Sequence, residues 1–261
     1  SMVDISKLKE NYLSISELSH LSRESPLVIH TNPSGLIRLG KNNNERLEKF
    51  NTLINKIEAK SGNIIIPSFS YSFLGKKEVF DIKNTPSKID YASEFLRTKN
   101  LNKRTSDPNF SYLIFGKALD LNAKYKKDIN TFGENGLINE LFIKNAYLCS
   151  VGGALEHLTE LHYIEKKLKV DYRCDKKFSG IIRDYNGNES FEEVTYFCRD
   201  LNSEYIASFL KFKEDIRKSN IYKKIFLKDY KLRLEVVRFK DCYYFLKDKL
   251  NLYPKYCWGE K

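Results

Sequence analysis

The chain has 261 residues, 41% hydrophobic and 30% charged. That supports a folded core and is too apolar for a disordered chain. No run reaches the roughly 18 apolar residues of a membrane span, and no apolar leader follows Ser1-Met2, which reads as a cloning remnant. Forty-five Lys and Arg against 34 Asp and Glu leave a formal charge of +11, a surface that attracts anions such as nucleic acid or a phosphorylated cofactor. The bland alternative is an Asn- and Lys-rich composition with no bearing on partners. Five scattered cysteines (Cys149, Cys174, Cys198, Cys242, Cys257) include no CxxC pair. They point to free thiols in a reducing cytoplasm and exclude a zinc ribbon.

In chain order, a Ser14-x-x-Glu17 capping box starts a short helix that ends before Pro26. Leu27-Val28-Ile29-His30 reads as a buried strand running into the loop Thr31–Gly35. Leu47, Phe50, Ile54 and Ile57 recur at helical spacing over 44–59, with Gly62 as the stop. Ile64-Ile65-Ile66-Pro67 is a second buried strand, so the first 70 or so residues form a parallel strand–helix–strand unit. A loop-rich middle holds a helix near 91–97. Ala146–Val151 is a further strand, ending in Gly152-Gly153 and followed by a helix over 157–168. Ile181–Tyr185 and Phe191–Phe197 flank Asn186-Gly187 as a hairpin. A helix over 204–218, a strand over 232–239 and an amphipathic helix over 243–250 complete the expectation. The whole, residues 1–261, reads as one α/β domain with a mixed, partly parallel sheet, flanking helices and an antiparallel hairpin addition.

Four histidines are available: His20, His30, His157 and His162. His162 and Glu165 share a helical face, so the carboxylate can orient the imidazole and stabilise its charged form. A solvated surface pair is the competing reading. His157 and His162 stand five apart, not the four of HExxH, and no metal site is expected. The chain has no GxSxG elbow, P-loop or GxGxxG. The polar stretch from Arg104 to Ser111 either holds a phosphate or pantetheine amide, or is a turn capped by its own Asx and Ser side chains.

Taken together, these segments resemble the aminoglycoside 3-N-acetyltransferase family, acetyl-CoA-dependent enzymes distinct from the GNAT fold. Val28-Ile29-His30-Thr31-Asn32-Pro33-Ser34 is similar to its VHSSLS strand and loop, and Gly62–Ser70 to its G-T-hydrophobic-P-T-F-T. Arg104-Thr105-x-x-Pro108-x-x-Ser111 resembles R-S-x-x-P-x-x-S, and Thr159-x-x-His162-x-x-Glu165 resembles T-x-x-H-x-x-E. Val170-Asp171-Tyr172-Arg173 and Leu234–Pro254 follow in place. The departures are Thr105 for Ser, Pro33 within the loop, Asn135-Gly136 for a Ser-like element, and no acid over Ser68–Ser72.

The resemblance implies direct acetyl transfer from acetyl-CoA to a primary amine, with His162 as general base beside Glu165 and Thr159. It implies His30, Thr31, Asn32, Ser34, Arg104, Thr105 and Ser111 as the cofactor-binding set, with no metal. A further acid is sought among Glu192, Glu193 and Glu204. The +11 charge and the acid-free Ser68–Ser72 stretch favour an anionic acceptor, a nucleotide-linked or surface-polysaccharide amino sugar, over a polycationic aminoglycoside. Cytoplasmic location is expected, and a homodimer is left open. From another class, a basic, aromatic-rich nucleic-acid-binding module explains the charge but none of the ordered motifs. Thermal shift with CoA against an oligonucleotide separates the two.

Overall fold

A computed structural model describes residues 3–119 and 128–260. The first half contains β1 (Glu10–Leu13), α1 (Ile15–Leu21), β2 (Leu27–His30), α2 (Asn43–Ala59), β3 (Ile64–Pro67), β4 (Phe80–Asp81), α3 (Tyr91–Lys99) and β5 (Tyr112–Phe115). Then come β6 (Ile129–Asn130), α4 (Leu137–Ile143), β7 (Tyr147–Ser150), α5 (Leu161–Lys167), β8 (Arg173–Arg183) and β9 (Glu189–Arg199). α6 (Leu210–Arg217), β10 (Lys223–Leu227), β11 (Leu232–Arg238) and α7 (Phe239–Leu252) finish the chain, and 3-10 turns cover Pro33–Leu39 and Leu155–His157.

The main sheet has seven strands in the order β1-β10-β11-β7-β2-β3-β5. β2 runs parallel to both β3 and β7, while β5 and β11 pair antiparallel outside them. The central strands are apolar throughout because both faces are covered. Leu27, Ile29, Ile64 and Ile66 join α2 residues Phe50, Leu53, Ile54 and Ile57 in one core. Val28, Ile65 and Leu148 face the other side, against Leu161 and Ile164 of α5 and Phe239 and Leu246 of α7. A period of two therefore divides each strand between two cores.

The hairpin is larger than the sequence suggested. β8 and β9 pair from Arg173↔Arg199 to Arg183↔Glu189, with β4 and β6 added parallel to form a four-stranded second sheet. At its turn Asp184 Oδ1 accepts from the Asn186 and Asn188 amides, both at 2.9 Å.

Two helix boundaries differ from expectation. The helix expected over 157–168 breaks after the 3-10 turn at Leu155–His157 and restarts at Leu161, with Leu158 extended at ψ 97°. The helix expected over 204–218 begins only at Leu210, because Ala207 bridges Trp258 and Ile206 accepts from the Gly259 amide. The C-terminal tail takes those backbone groups, so the helix cannot.

His30 pairs with Ser150 at the carboxyl ends of β2 and β7. In open α/β sheets this edge is where ligands bind. The loops leaving the two strands touch: a Cβ at Gly35 would lie 2.4 Å from the Gly152 amide nitrogen. Gly152 itself has φ +87°.

Candidate active site

A cleft of about 840 Å³ opens at this carboxyl edge, lined among others by His30, Thr31, Asn32, Asp90, Glu156, Thr159 and His162. That volume suits a drug-sized ligand. A second concavity, about 780 Å³, carries Lys166, Lys167, Lys169 and Lys177 but no histidine. The groups able to move a proton near neutral pH are in the first.

His162 projects from the first turn of α5, with its side chain 16% exposed, and Glu165 one turn on is fully buried. His162 Nδ1 lies 2.6 Å from Glu165 Oε1. An ionised carboxylate only accepts, so Nδ1–H donates and Nε2 keeps the lone pair; the network assigns this tautomer. Phe132 and Phe209 enclose the ring, with centroids at 5.7 and 5.5 Å. Burial lowers the His162 pKa below its ordinary value, with Arg173 adding to the effect and Glu165 opposing it. Burial pushes Glu165 up, but the His162 hydrogen bond, the His162 and Arg173 charges and Tyr172 outweigh it and hold the carboxyl below its usual range. Both shifts favour a neutral imidazole on a carboxylate near pH 7.

His30 forms a second histidine–carboxylate pair. Its Nε2 lies 2.5 and 2.9 Å from the two oxygens of Glu160, which is fully buried and also accepts from Tyr112 Oη at 3.4 Å. The break before α5 makes this possible, since Glu160 sits on the turn rather than within a continuous helix. Thr31 Oγ1 donates to Asp90 Oδ2 at 2.9 Å. Asp90 is held in turn as the N-cap of α3, accepting from the Ser93 amide at 2.7 Å. Glu156 faces the cleft and meets Lys213 at 2.9 Å.

His162, Thr159, His30, Thr31 and Asn32 thus meet at one cleft, with Glu165 directly behind His162. Ser34 does not line it: the Ser34 amide and hydroxyl both go to Asn32 Oδ1, at 3.2 and 3.0 Å. Arg104, Thr105 and Ser111 lie elsewhere and are buried. Arg104, 2% exposed, donates to Ser111 Oγ at 2.9 Å, to the Ser68 carbonyl at 2.7 Å and to the Thr85 carbonyl. Burial, then Arg97, pulls its pKa down to about 10. Thr105 Oγ1 accepts from the Tyr112 amide, and Ser111 donates to Ser68 O. Asp107 Oδ1 takes the Asn109 and Phe110 amides, both at 3.0 Å. These are the hydrogen bonds of the capped-turn alternative, and none of Arg104, Thr105 and Ser111 lines the cleft.

The further acids expected from the sequence do not line this cleft. Glu192 and Glu193 lie on β9, opposite Gly180 and Ser179, and Glu204 is exposed. The acids that line the cleft are Asp90 and Glu156, with the buried Glu160 behind His30. Glu160 lies within the Thr159–His162 motif and Asp90 just before a predicted helix, so both were within reach of the sequence.

The sequence profile of the family described as aminoglycoside 3-N-acetyltransferase matches residues 34–250. The chain belongs to this family. It is accordingly an acetyl-CoA-dependent acetyltransferase. None of the curated proteins compared with it matches. Solved structures of similar fold include the YokD protein from Bacillus subtilis, at 16% identity and TM-score 0.64, covering 90% of this chain and 97% of that one. AAC-IIIb in binary complex with CoASH matches at 13% identity and TM-score 0.64, covering 96% and 99%. AAC-VIa bound to sisomicin matches at 16% identity and TM-score 0.65, covering 92% and 98%. Among the described residues of this acetyltransferase, no group of three or more His, Cys, Asp and Glu could hold a metal ion. No described helix is long and apolar enough to cross a membrane.

Proposed function

We propose that this enzyme transfers acetyl from acetyl-CoA directly to a primary amine of an aminoglycoside-type amino sugar, with His162 as general base. The observation that carries the reading is the His162–Glu165 pair opening onto a cleft walled by Asp90 and Glu156. Acetyl-CoA supplies the activated carbonyl. His162 Nε2 takes the proton that the amine loses as its nitrogen bonds to the acetyl carbon and the C–S bond breaks. Glu165 balances the imidazolium, which then returns the proton to the departing thiolate. His30, Thr31 and Asn32 line the wall from which the thioester would be positioned.

The anionic acceptor expected from the net charge gives way to the runner-up. Local charge decides what enters a cleft; Asp90 and Glu156 line this one, with Lys88 also on the wall and Lys213 paired to Glu156, and the two carboxylates offer ammonium groups a place to bind. The family to which the chain belongs and the sisomicin held by one similar structure support the same reading. The test is a parallel acetylation assay with aminoglycosides and nucleotide-linked amino sugars at saturating acetyl-CoA. We expect kcat/KM to favour the aminoglycosides by tenfold or more. Preferred turnover of the nucleotide-linked sugars overturns the reading.

A further inference from the structure

Arg173 opens β8, and its side chain is 4% exposed. Its Nε lies 3.2 Å from Glu165 Oε1, the oxygen that also faces His162 Nδ1. Its Nη1 donates to the Phe197 carbonyl at 3.2 Å, and the guanidinium carbon stands 5.4 Å from the Tyr205 ring centre. These contacts fix the group, and they leave Nη2 3.5 Å from His162 Nε2. We propose that Arg173 is a positioning residue for acetyl transfer, holding the His162 imidazole neutral with its proton on Nδ1. This rests on the reading of His162 as the base.

The argument is one of charge and donor count. A guanidinium donates at every nitrogen and stays protonated. A protonated Nε2 would bring a donor and a like charge against it. At 3.5 Å Nη2 makes a long, weak hydrogen bond to the Nε2 lone pair, one that an incoming amine can displace. Glu165 alone would favour imidazolium, a poor base; burial opposes that pull most, and the Arg173 charge adds to the opposition. The other titratable groups around the pair are Glu160 before α5, Tyr172 before β8, Tyr196 on β9, Tyr205 before α6 and Cys257 near the C-terminus. Burial pushes the three phenols and the thiol up, so they stay neutral near pH 7. His30, Lys88, Asp90, Glu156 and His157 line the same cleft.

The test is an NMR titration of His162, its resonance assigned with His162→Gln, beside pH profiles of kcat/KM. In the wild type the midpoint should lie below about 6.5, the free histidine value, with the proton on Nδ1. Arg173→Met should raise the midpoint by roughly one unit or more and move the acid limb of kcat/KM with it. Arg173→Lys, which keeps the charge, should stay close to the wild type. The acceptor's own titration is common to all three enzymes and drops out of the comparison. An unchanged midpoint in folded Arg173→Met overturns the proposal. If that variant does not fold, a wild-type midpoint at or above 6.5, or a proton on Nε2, overturns it equally. Full turnover in His162→Gln removes the base reading itself, a result distinct from either.

Discussion

At the scale of single residues, two side chains that one motif comparison treats alike turn out to differ in kind. His162 faces the cleft on a buried carboxylate, so His162→Ala should leave the fold intact and cut turnover by on the order of 10²–10⁴. Turnover within about threefold of wild type, in protein shown folded by circular dichroism, would remove its role as base. Arg104 is the opposite case. Arg104→Ala orphans the buried Thr85 carbonyl and leaves the Ser68 carbonyl to Ser111 alone, at a cost of about 1–3 kcal/mol, which lowers Tm by roughly 2–12 °C in a domain of this size. The KM for acetyl-CoA should hold steady; a rise without loss of Tm would return Arg104 to the cofactor. Residue type and spacing made both positions legible as special. They could not separate a side chain at the cleft from one buried away from it, because that depends on which partners the fold brings from Ser68 and Thr85, far away in sequence.

At the scale of elements, the site depends on where secondary structure stops. β2, β3, β7 and α2 were legible because their apolar periods are strong and local. The break before α5 was not, since Leu158, Leu161 and Ile164 keep a helical spacing across it. Yet the break is what turns Glu160 onto His30. The second sheet was legible only as a hairpin, because β4 and β6 are two-residue strands recruited by the edges of β8 and β9. The loops after β2 and β7 hold the carboxyl edge together by close approach at Gly35. Gly35→Ala would drive its Cβ into the Gly152 backbone, and backbone cannot yield as a side-chain tip can. We expect a loss of about 1–3 kcal/mol, read by thermal melting, together with a fall in kcat. Unchanged stability and rate would show that the two loops have room to separate.

At the scale of the whole molecule, the net charge of +11 and the two acids on the cleft wall favour opposite acceptors, and the salt dependence of turnover separates them. Near physiological ionic strength the Debye length is about 8 Å, so lysines spread over the surface are screened from a ligand already at the cleft mouth. Asp90 and Glu156 line the wall itself, together with Lys88. Composition could report the sum of the charges and not their placement, which is why it favoured the anionic sugar. The two pictures give opposite salt trends. For a polycationic acceptor drawn in by Asp90 and Glu156, kcat/KM should fall as salt rises, since steering weakens. If the overall positive field ruled, the same quantity would rise or stay flat. Acetyl-CoA is anionic and must be saturating at every salt concentration, so that only the acceptor's encounter is read. Asp90→Asn should flatten the slope for an aminoglycoside, provided circular dichroism shows that α3 keeps its cap, an amide being a good N-cap in its own right. A slope that rises with salt in the wild type would restore the anionic acceptor to first place.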